Sequence, residues 1–236
     1  MPKLLDIASR KQPFAIKNKS DTKAEITLYG AIGGGFFEDT ISAKQFSDEL
    51  KKLPDTVKEI SLRINSPGGD VFDGMTIYNR LKQHKAKVTV YVDGIAASIA
   101  SIIAMAGDEI IMGEGTQIMV HLPWTFAYGN ARDFEETINR LDDITEQMIS
   151  IYAKKTKKSR AEIKSMLTDE TWLDSETAIS EGFADKVVGE SLGVAASLID
   201  KKWLHKTPKN IKIQDEMVRS EVTNLKNKVE AFLARK

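Results

Sequence analysis

Between residues 59 and 82 the sequence changes from an alternating apolar pattern to a helical one across a short run of breakers. Residues 59–65 (EISLRIN) alternate apolar with polar side chains, as a β-strand with one buried face does. The run Ser66-Pro67-Gly68-Gly69 ends that strand, and from Val71 to Lys82 the apolar residues recur at helical spacing. This segment therefore predicts a strand, a glycine-rich loop and a helix in direct succession.

The same succession recurs along the chain. Strands are expected at residues 24–29 and 87–92, and helices from Ser42 to about residue 53 and over residues 95–106, the second after a turn at Asp93-Gly94. Short strands are expected at residues 109–112 and 117–121, and helices capped by Ser159 and Asp174 follow later in the chain. Between them, residues 131–155 predict a long amphipathic helix whose apolar face carries Phe134, Ile138, Leu141, Met148 and Tyr152. Repeated crossovers predict an α/β fold in which most strands pair in parallel.

Three segments of different character divide the chain. Residues 1–23 are expected to form an N-terminal arm, residues 24–188 the α/β domain, and residues 189–236 a mostly helical C-terminal extension. Apolar residues recur at helical or heptad spacing in the last 26 residues of the extension. That spacing fits a solvated helix lying on its own domain as well as a helix that contacts a partner.

Charge and composition exclude several classes of function. Lys plus Arg and Asp plus Glu both total 34, so no basic field attracts nucleic acid or an anionic membrane. The chain has no cysteine, which excludes disulfides, thiolate metal sites and a cysteine nucleophile. It has no H-E-x-x-H motif and no histidine pair at ligand spacing, so neither a metal nor another cofactor is expected.

The apolar segments are too short for membrane insertion. Residues 1–20 lack the continuous apolar core of a signal peptide, and the weakly polar stretch at residues 95–107 is too short to span a bilayer. We therefore expect a cytoplasmic protein that associates with no membrane.

Ser98 is the first candidate for chemistry. It lies near the start of the predicted buried helix, where N–H groups of the first turn are unpaired and favour the negative charge that develops in acyl transfer. The small residues Gly94, Ala96 and Ala97 allow a substrate backbone to approach. Taken alone, the same small residues are more often typical of a tightly packed structural helix.

His121 is the second candidate. It ends the predicted strand QIMVH and precedes Leu122-Pro123, whereas His84 and His205 lie in charged or linker surroundings. A histidine at a strand end can act as a general base near neutral pH. It can also be a hydrogen-bonded structural residue.

Two loops offer partners for this pair. Glycines in the run Ser66-Pro67-Gly68-Gly69 can aim backbone N–H groups at an oxyanion or simply turn the chain, and the run lacks the Lys-Ser/Thr ending of a phosphate loop. The predicted loop at residues 168–172 offers Asp169 and Glu170 as carboxylates that could orient an imidazole, although such residues also serve as caps or solvated charges.

Four segments, in their order and spacing, resemble the Clp protease proteolytic subunit family, ClpP. They are INSPGGDVFDGMTIYNRL (residues 64–81), DGIAASIAS (93–101), MVHLP (119–123) and ETWLDSETAISEGFAD (170–185). The match runs from about residue 24 to residue 188. The resemblance implies a ClpP/crotonase-like fold, with parallel β-sheet layers and a long protruding helix, and a serine endopeptidase activity.

The resemblance also implies roles for individual residues. Ser98 matches the nucleophile and His121 the general base, and the backbone N–H groups of Gly69 and Ile99 match the oxyanion hole. The family's aspartate falls on Glu170, with Asp169 as the alternative. An extended substrate is expected beside the residues that flank these groups: Gly68, Val71, Leu122, Pro123 and Trp124.

Partners follow from the same resemblance. It implies a homo-oligomeric ring, of seven subunits or two stacked rings of seven, that acts on protein substrates. Residues 189–236 replace the family's usual C-terminus, and the N-terminus does not match the loops through which family members contact an unfoldase ATPase. The resemblance therefore does not assign an ATPase partner to this chain. The wording ETWL and the extension resemble the phage and prophage ClpP-like proteases, which are assigned to capsid (prohead) maturation and act on capsid or scaffold proteins.

Three alternatives remain at this level. An acyl-CoA hydratase or isomerase of the crotonase type shares the oxyanion site but has no Ser-His pair, and a serine-lysine protease needs a buried catalytic lysine. The third alternative is a catalytically weak ClpP-like scaffold whose C-terminal helix binds capsid or partner proteins.

Overall fold

A computed structural model describes residues 14–33 and 40–188 of the 236-residue chain. The predicted C-terminal extension and the first 13 residues of the predicted arm lie outside the described residues. Within the described part, no helix combines the length and the apolar character that crossing a bilayer requires.

The strands form one large sheet and one small parallel pair. The ten described strands are β1 (Phe14–Ser20), β2 (Lys23–Tyr29), β3 (Ala31–Ile32), β4 (Thr40–Ile41), β5 (Glu59–Ser66), β6 (Lys87–Ala97), β7 (Glu109–Gly113), β8 (Gln117–Val120), β9 (Thr171–Asp174) and β10 (Lys186–Val188). Eight of them form the large sheet in the order β1-β2-β5-β6-β7-β10, with β8 beside the end of β6 and β9 beside β8. Strands β3 and β4 form the small pair.

Most neighbouring strands of the large sheet run parallel. Only the β1–β2 and β8–β9 pairs are antiparallel among the described strands, and each of these pairs includes an end strand of the sheet. Parallel neighbours need crossover connections, which the helices provide. The predicted α/β fold with a mostly parallel sheet is confirmed.

Local capping sets where the helices begin. The described helices are α1 (Ala43–Leu50), α2 (Val71–Lys82), α3 (Ile99–Ala104), α4 (Ala131–Thr156), α5 (Arg160–Thr168) and α6 (Ser175–Ser180). Ser42, Ser159 and Asp174 cap α1, α5 and α6 by accepting backbone N–H groups, as their sequence positions predict. Ser159 and Glu162 complete a reciprocal capping box.

The core is formed by the large sheet and the helices packed on it, and the short helix α3 lies entirely within it. Buried and partly exposed residues alternate along β2, β5 and β6, so one face of each strand is fully covered. All six residues of α3 are buried, and α3 contacts both α2 and α4. The Ile99 side chain packs against Gly74 of α2, where an added Cβ would lie 2.2 Å from Ile99 Cγ1.

Helix α4 has two halves with different surroundings. Phe134 and Ile138, in its first half, are 45% and 57% exposed. Met148, Ile149 and Tyr152, in its second half, are buried against the domain. The apolar face that the sequence predicts therefore continues along the helix beyond the part that packs on the core.

The sequence prediction was wrong at Asp93-Gly94. Strand β6 continues through both residues to Ala97, and α3 begins at Ile99 rather than at residue 95. Val92 pairs with Ile64 of β5, and Ala96 pairs with Ser66. Three residues of β6 therefore lie opposite one residue of β5, and the two extra residues form a bulge.

Side chains from β2 and β5 hold the bulge. Asn65 Oδ1 accepts the Ile95 N–H at 3.3 Å, and a Cβ on Gly94 would lie 2.5 Å from the same oxygen. Asp93 accepts two hydrogen bonds from Arg63 and one, at 2.5 Å, from Tyr29 Oη. Burial raises the pKa of Tyr29 to about 12, so the phenol remains a donor at neutral pH.

Strand β1 was not predicted from the sequence. It lies within the segment assigned to an arm, and the structure pairs it with β2 at the edge of the sheet. Only its first three residues are buried or partly buried, and the last four are exposed. An edge strand with so little buried surface leaves a weak alternating pattern.

Candidate active site

The structure brings Ser98 and His121 together. Ser98 lies between β6 and α3, and His121 follows β8, which pairs in parallel with the end of β6. The Ser98 N–H donates to Met119 O at 2.9 Å, which extends this pairing to the serine. Ser98 Oγ lies 2.7 Å from His121 Nε2, and His121 is buried.

This distance allows proton transfer between the two side chains. When the imidazole carries its proton on Nδ1, Nε2 accepts the hydroxyl proton of Ser98. A nucleophile within hydrogen-bond reach of a base is the arrangement required for activation of a serine hydroxyl.

Ser98 has an unusual backbone conformation. Its φ of 55° and ψ of −129° lie in a region that residues other than glycine rarely adopt. The strain arises where the chain changes abruptly from strand β6 to helix α3. Strained conformations of this kind cost about 1–3 kcal/mol and are concentrated at functional sites.

Ser98→Gly is expected to be more stable than Ser98→Ala by about 1 kcal/mol, because only alanine retains the steric cost of a positive φ. Urea denaturation of both variants measures this difference. The control is the same pair of substitutions at Ser165 within α5, where glycine is expected to be the less stable by about 0.5–1 kcal/mol. The same order at both positions would contradict strain at Ser98.

The glycine-rich loop lies directly against Ser98. Gly68 is buried with a φ of 93°, and a Cβ there would lie 2.7 Å from both Ala97 O and Ser98 Cβ. That position is also 3.2 Å from the Ile99 nitrogen. The loop and the start of α3 therefore meet at the serine, as the predicted oxyanion donors Gly69 and Ile99 require.

Pairing with β3 fixes the loop on its other side. Ile32 donates to Gly68 O at 2.8 Å and accepts the Asp70 N–H at 2.9 Å. Gly69 lies between these bonded groups, is exposed, and forms the bridge partner of Ile32. Its own N–H takes no part in this pairing.

The two candidate carboxylates have different surroundings. The Glu170 side chain is only 8% exposed, and its Oε2 lies 4.0 Å from His121 Nδ1. Asp169 is exposed, and its Oδ2 accepts a hydrogen bond from Ser165 Oγ at 3.2 Å. The structure therefore places the Glu170 carboxylate beside the histidine.

Strand β9 sets the position of Glu170. Thr171 pairs with Val120, which directly precedes His121, so part of the predicted loop at residues 168–172 is a strand. The 4.0 Å between Glu170 and His121 is within ion-pair range but exceeds the length of a hydrogen bond. Trp172 Nε1 lies 3.5 Å from Glu170 Oε1, a neighbour that the sequence analysis missed because its β9 pairing has no local signal.

The predicted substrate-binding residues belong to two segments, one that contacts Ser98 through Gly68 and one that directly follows His121. Gly68 packs against Ser98, and Val71 begins α2 with a partly exposed side chain. Leu122 and Trp124 are exposed after β8, and Pro123 between them is partly exposed. The Leu122 N–H donates to Leu167 O at 3.1 Å, so in this conformation that group is bound within the domain.

Asn65 is a further residue that the sequence analysis missed. Its side chain supports the β6 bulge that precedes Ser98, and its only sequence signal is its place before the glycines of the segment INSPGG. Across residues 14–33 and 40–188, no three His, Cys, Asp or Glu side chains are grouped as metal ligands.

Comparisons with known proteins identify the family of this chain. Residues 15–191 match the family model described as Clp protease. The ATP-dependent Clp protease proteolytic subunit 1 of Protochlamydia amoebophila (strain UWE25) is 30% identical over 162 residues, which are 65% of this chain and 79% of that protein. Membership in this family supports a serine-peptidase function. The chain belongs to the Clp protease family.

Proposed function

We propose that this protein is a serine endopeptidase in which Ser98, His121 and Glu170 form the catalytic triad. The observation that carries the proposal is the 2.7 Å contact between Ser98 Oγ and His121 Nε2. Family membership and the position of Glu170 beside the histidine support it.

The first half of the proposed reaction acylates the serine. His121 Nε2 takes the hydroxyl proton as Ser98 Oγ attacks the peptide carbonyl carbon, and the carbonyl oxygen becomes an oxyanion. The Gly69 and Ile99 N–H groups bind that oxyanion. The intermediate then collapses, the C–N bond breaks, and His121 gives its proton to the leaving amine.

Water completes the reaction. His121 removes a proton from water as its oxygen attacks the acyl carbon, and the proton then returns to Ser98 Oγ when the acid product leaves. Glu170 stabilises the imidazolium that forms twice in this cycle. From the 4.0 Å separation, the carboxylate needs to approach by about 1 Å to make a hydrogen bond with Nδ1.

The substrate is proposed to bind as an extended strand. One side would be formed by residues 69–71 and the other by residues 122–125, where Leu122 and Trp124 expose their side chains. Main-chain hydrogen bonds of this type fix which peptide bond of the substrate lies at the serine, and contacts with the substrate side chains set the sequence preference. The proposed substrates are proteins.

The assembly and setting are also proposals. Exposed Phe134 and Ile138 on the first half of α4 support self-association, and the resemblance to ClpP implies a ring of seven subunits or two such rings. We propose a protease domain at residues 24–188 between an arm and a helical extension, a cytoplasmic location, and a role in phage prohead maturation on capsid or scaffold proteins.

A catalytically weak scaffold is the second candidate function. The specific observation in its favour is that the Glu170 carboxylate lies 4.0 Å from His121 Nδ1. In that case the protein would act through its surfaces, including the exposed part of α4, and Ser98 would react slowly.

Labelling with a fluorophosphonate probe tests the proposed chemistry. We expect one adduct per chain, and peptide mapping by mass spectrometry should place it on Ser98, because His121 activates this hydroxyl. Heat-denatured protein is the control and should not react, since unfolding separates the two side chains. Failure of the folded, assembled protein to react would contradict the enzyme proposal and favour the scaffold.

A further inference from the structure

A chain of buried hydrogen bonds connects helix α4 to the backbone of Ser98. Ser101 and Tyr152 are both completely buried. Ser101 Oγ lies 2.5 Å from the Ser98 carbonyl oxygen and 2.7 Å from Tyr152 Oη. The Ser101 N–H donates to the same carbonyl at 2.9 Å, so that oxygen accepts two hydrogen bonds from one residue.

The direction of this chain follows from its chemistry. A carbonyl oxygen only accepts, so the single hydroxyl proton of Ser101 points to Ser98 O. Tyr152 must then donate to Ser101 Oγ. Burial raises the pKa of Tyr152, which keeps the phenol protonated, and contact with Phe183 at 5.6 Å between ring centroids helps to hold the ring.

The far end of this chain is one half of the proposed oxyanion site. Ser98 O and the Ile99 N–H belong to the same planar peptide group, so fixing the carbonyl also fixes the direction of the N–H. Hydrogen bonds at the carbonyl polarise the peptide and make its N–H a stronger donor. The Ile99 side chain, packed against Gly74, holds the other end of the unit.

We propose that Ser101 and Tyr152 are positioning residues that orient and polarise the Ser98–Ile99 peptide as an oxyanion donor. Neither side chain touches the substrate, and both act through the Ser98 carbonyl. The inference rests on the proposed peptidase function and extends it to two residues outside the triad.

Ser101→Ala and Tyr152→Phe test the inference through transition-state binding. We expect kcat for a fluorogenic peptide to fall roughly tenfold in Ser101→Ala and about threefold in Tyr152→Phe, less than the 10²–10³-fold loss when an oxyanion donor is removed outright. KM should stay within about twofold of wild type, because a ground-state carbonyl depends little on this donor.

The affinity for a peptide boronic acid is a second measurement, and a purely structural role of the two residues would leave it unchanged. Boron accepts an electron pair from Ser98 Oγ, the serine proton passes to His121, and the anionic adduct places an oxygen at the oxyanion site. Its affinity should fall by the same factor as kcat/KM in both variants. Tyr152→Phe keeps the test valid if Ser101→Ala folds poorly, because it leaves no buried donor without an acceptor.

Two matched controls remove a hydroxyl elsewhere. Tyr78→Phe alters a partly buried tyrosine of α2, and Thr145→Val removes a buried hydroxyl that bonds to Leu141 O within α4. Both should retain wild-type kcat and boronate affinity. If the wild type is active and the folded Ser101 and Tyr152 variants keep its kcat and boronate affinity, this inference is wrong and the proposed function stands. If the wild type is inactive, both the inference and the proposed function are wrong.

Discussion

Ser98→Ala is expected to reduce peptide hydrolysis by about 10⁴- to 10⁶-fold and to abolish the fluorophosphonate adduct. The substitution removes the Oγ atom that lies 2.7 Å from His121 Nε2 and leaves the backbone bond to Met119 O in place. Because the attacking atom itself is lost, neither the oxyanion site nor the histidine can restore acyl transfer through this position.

Turnover of a fluorogenic peptide, with active sites counted by the probe in the wild type, measures this loss. Ser180→Ala on the exposed side of α6 is the matched control and should keep wild-type activity. The circular dichroism spectra and assembly state of both variants should match the wild type. More than about one hundredth of the activity remaining in Ser98→Ala would exclude Ser98 as the nucleophile.

Glu170→Gln is expected to lower kcat by about 10²- to 10⁴-fold, because an amide cannot stabilise the imidazolium that forms at His121 during catalysis. The buried position of the Glu170 side chain strengthens this dependence, since low solvent exposure increases the effect of a nearby charge. Asp169→Asn should change kcat by no more than about threefold, because this exposed carboxylate bonds to Ser165.

The two variants form a matched pair, each of which replaces one carboxylate with its isosteric amide. Parallel kcat and KM measurements, with labelling rates for the same probe, decide between them. A larger loss in Asp169→Asn would assign the role to that residue. Small losses in both would mean that no carboxylate in this turn assists His121, as the scaffold alternative expects.

Local signals made part of the fold predictable. Helix α2 occupies the residues that the sequence predicts, from Val71 to Lys82, because its N-cap at Asp70 and its helical apolar spacing are both local features. Strand β9 depends instead on pairing with β8, which lies about fifty residues earlier in the chain. Asp93-Gly94 has the local composition of a turn, and only the pairing of β6 with β5 shows that it is a bulge.

The sequence predicts which residues belong to the candidate site better than it predicts how they are arranged. Ser98 and His121 stand out from their positions and from the resemblance to ClpP, and the structure brings them to hydrogen-bond distance. The sequence favoured Glu170 and kept Asp169 as the alternative, because the directions in which neighbouring residues of a turn point depend on tertiary pairing. Their roles in catalysis stay predictions until the variants are measured.

The bulge in β6 makes the number of residues before Ser98 as important as their identity. Side chains alternate between the two faces of a strand, so one residue inserted or deleted between Val92 and Ser98 would direct the serine hydroxyl to the opposite side of the sheet. Substitutions at positions other than Asp93 and Gly94, which hold the bulge, leave this alternation in place, whereas a change in length would separate the hydroxyl from His121. Apart from Asp93 and Gly94, this segment is therefore expected to tolerate substitutions far more readily than insertions or deletions.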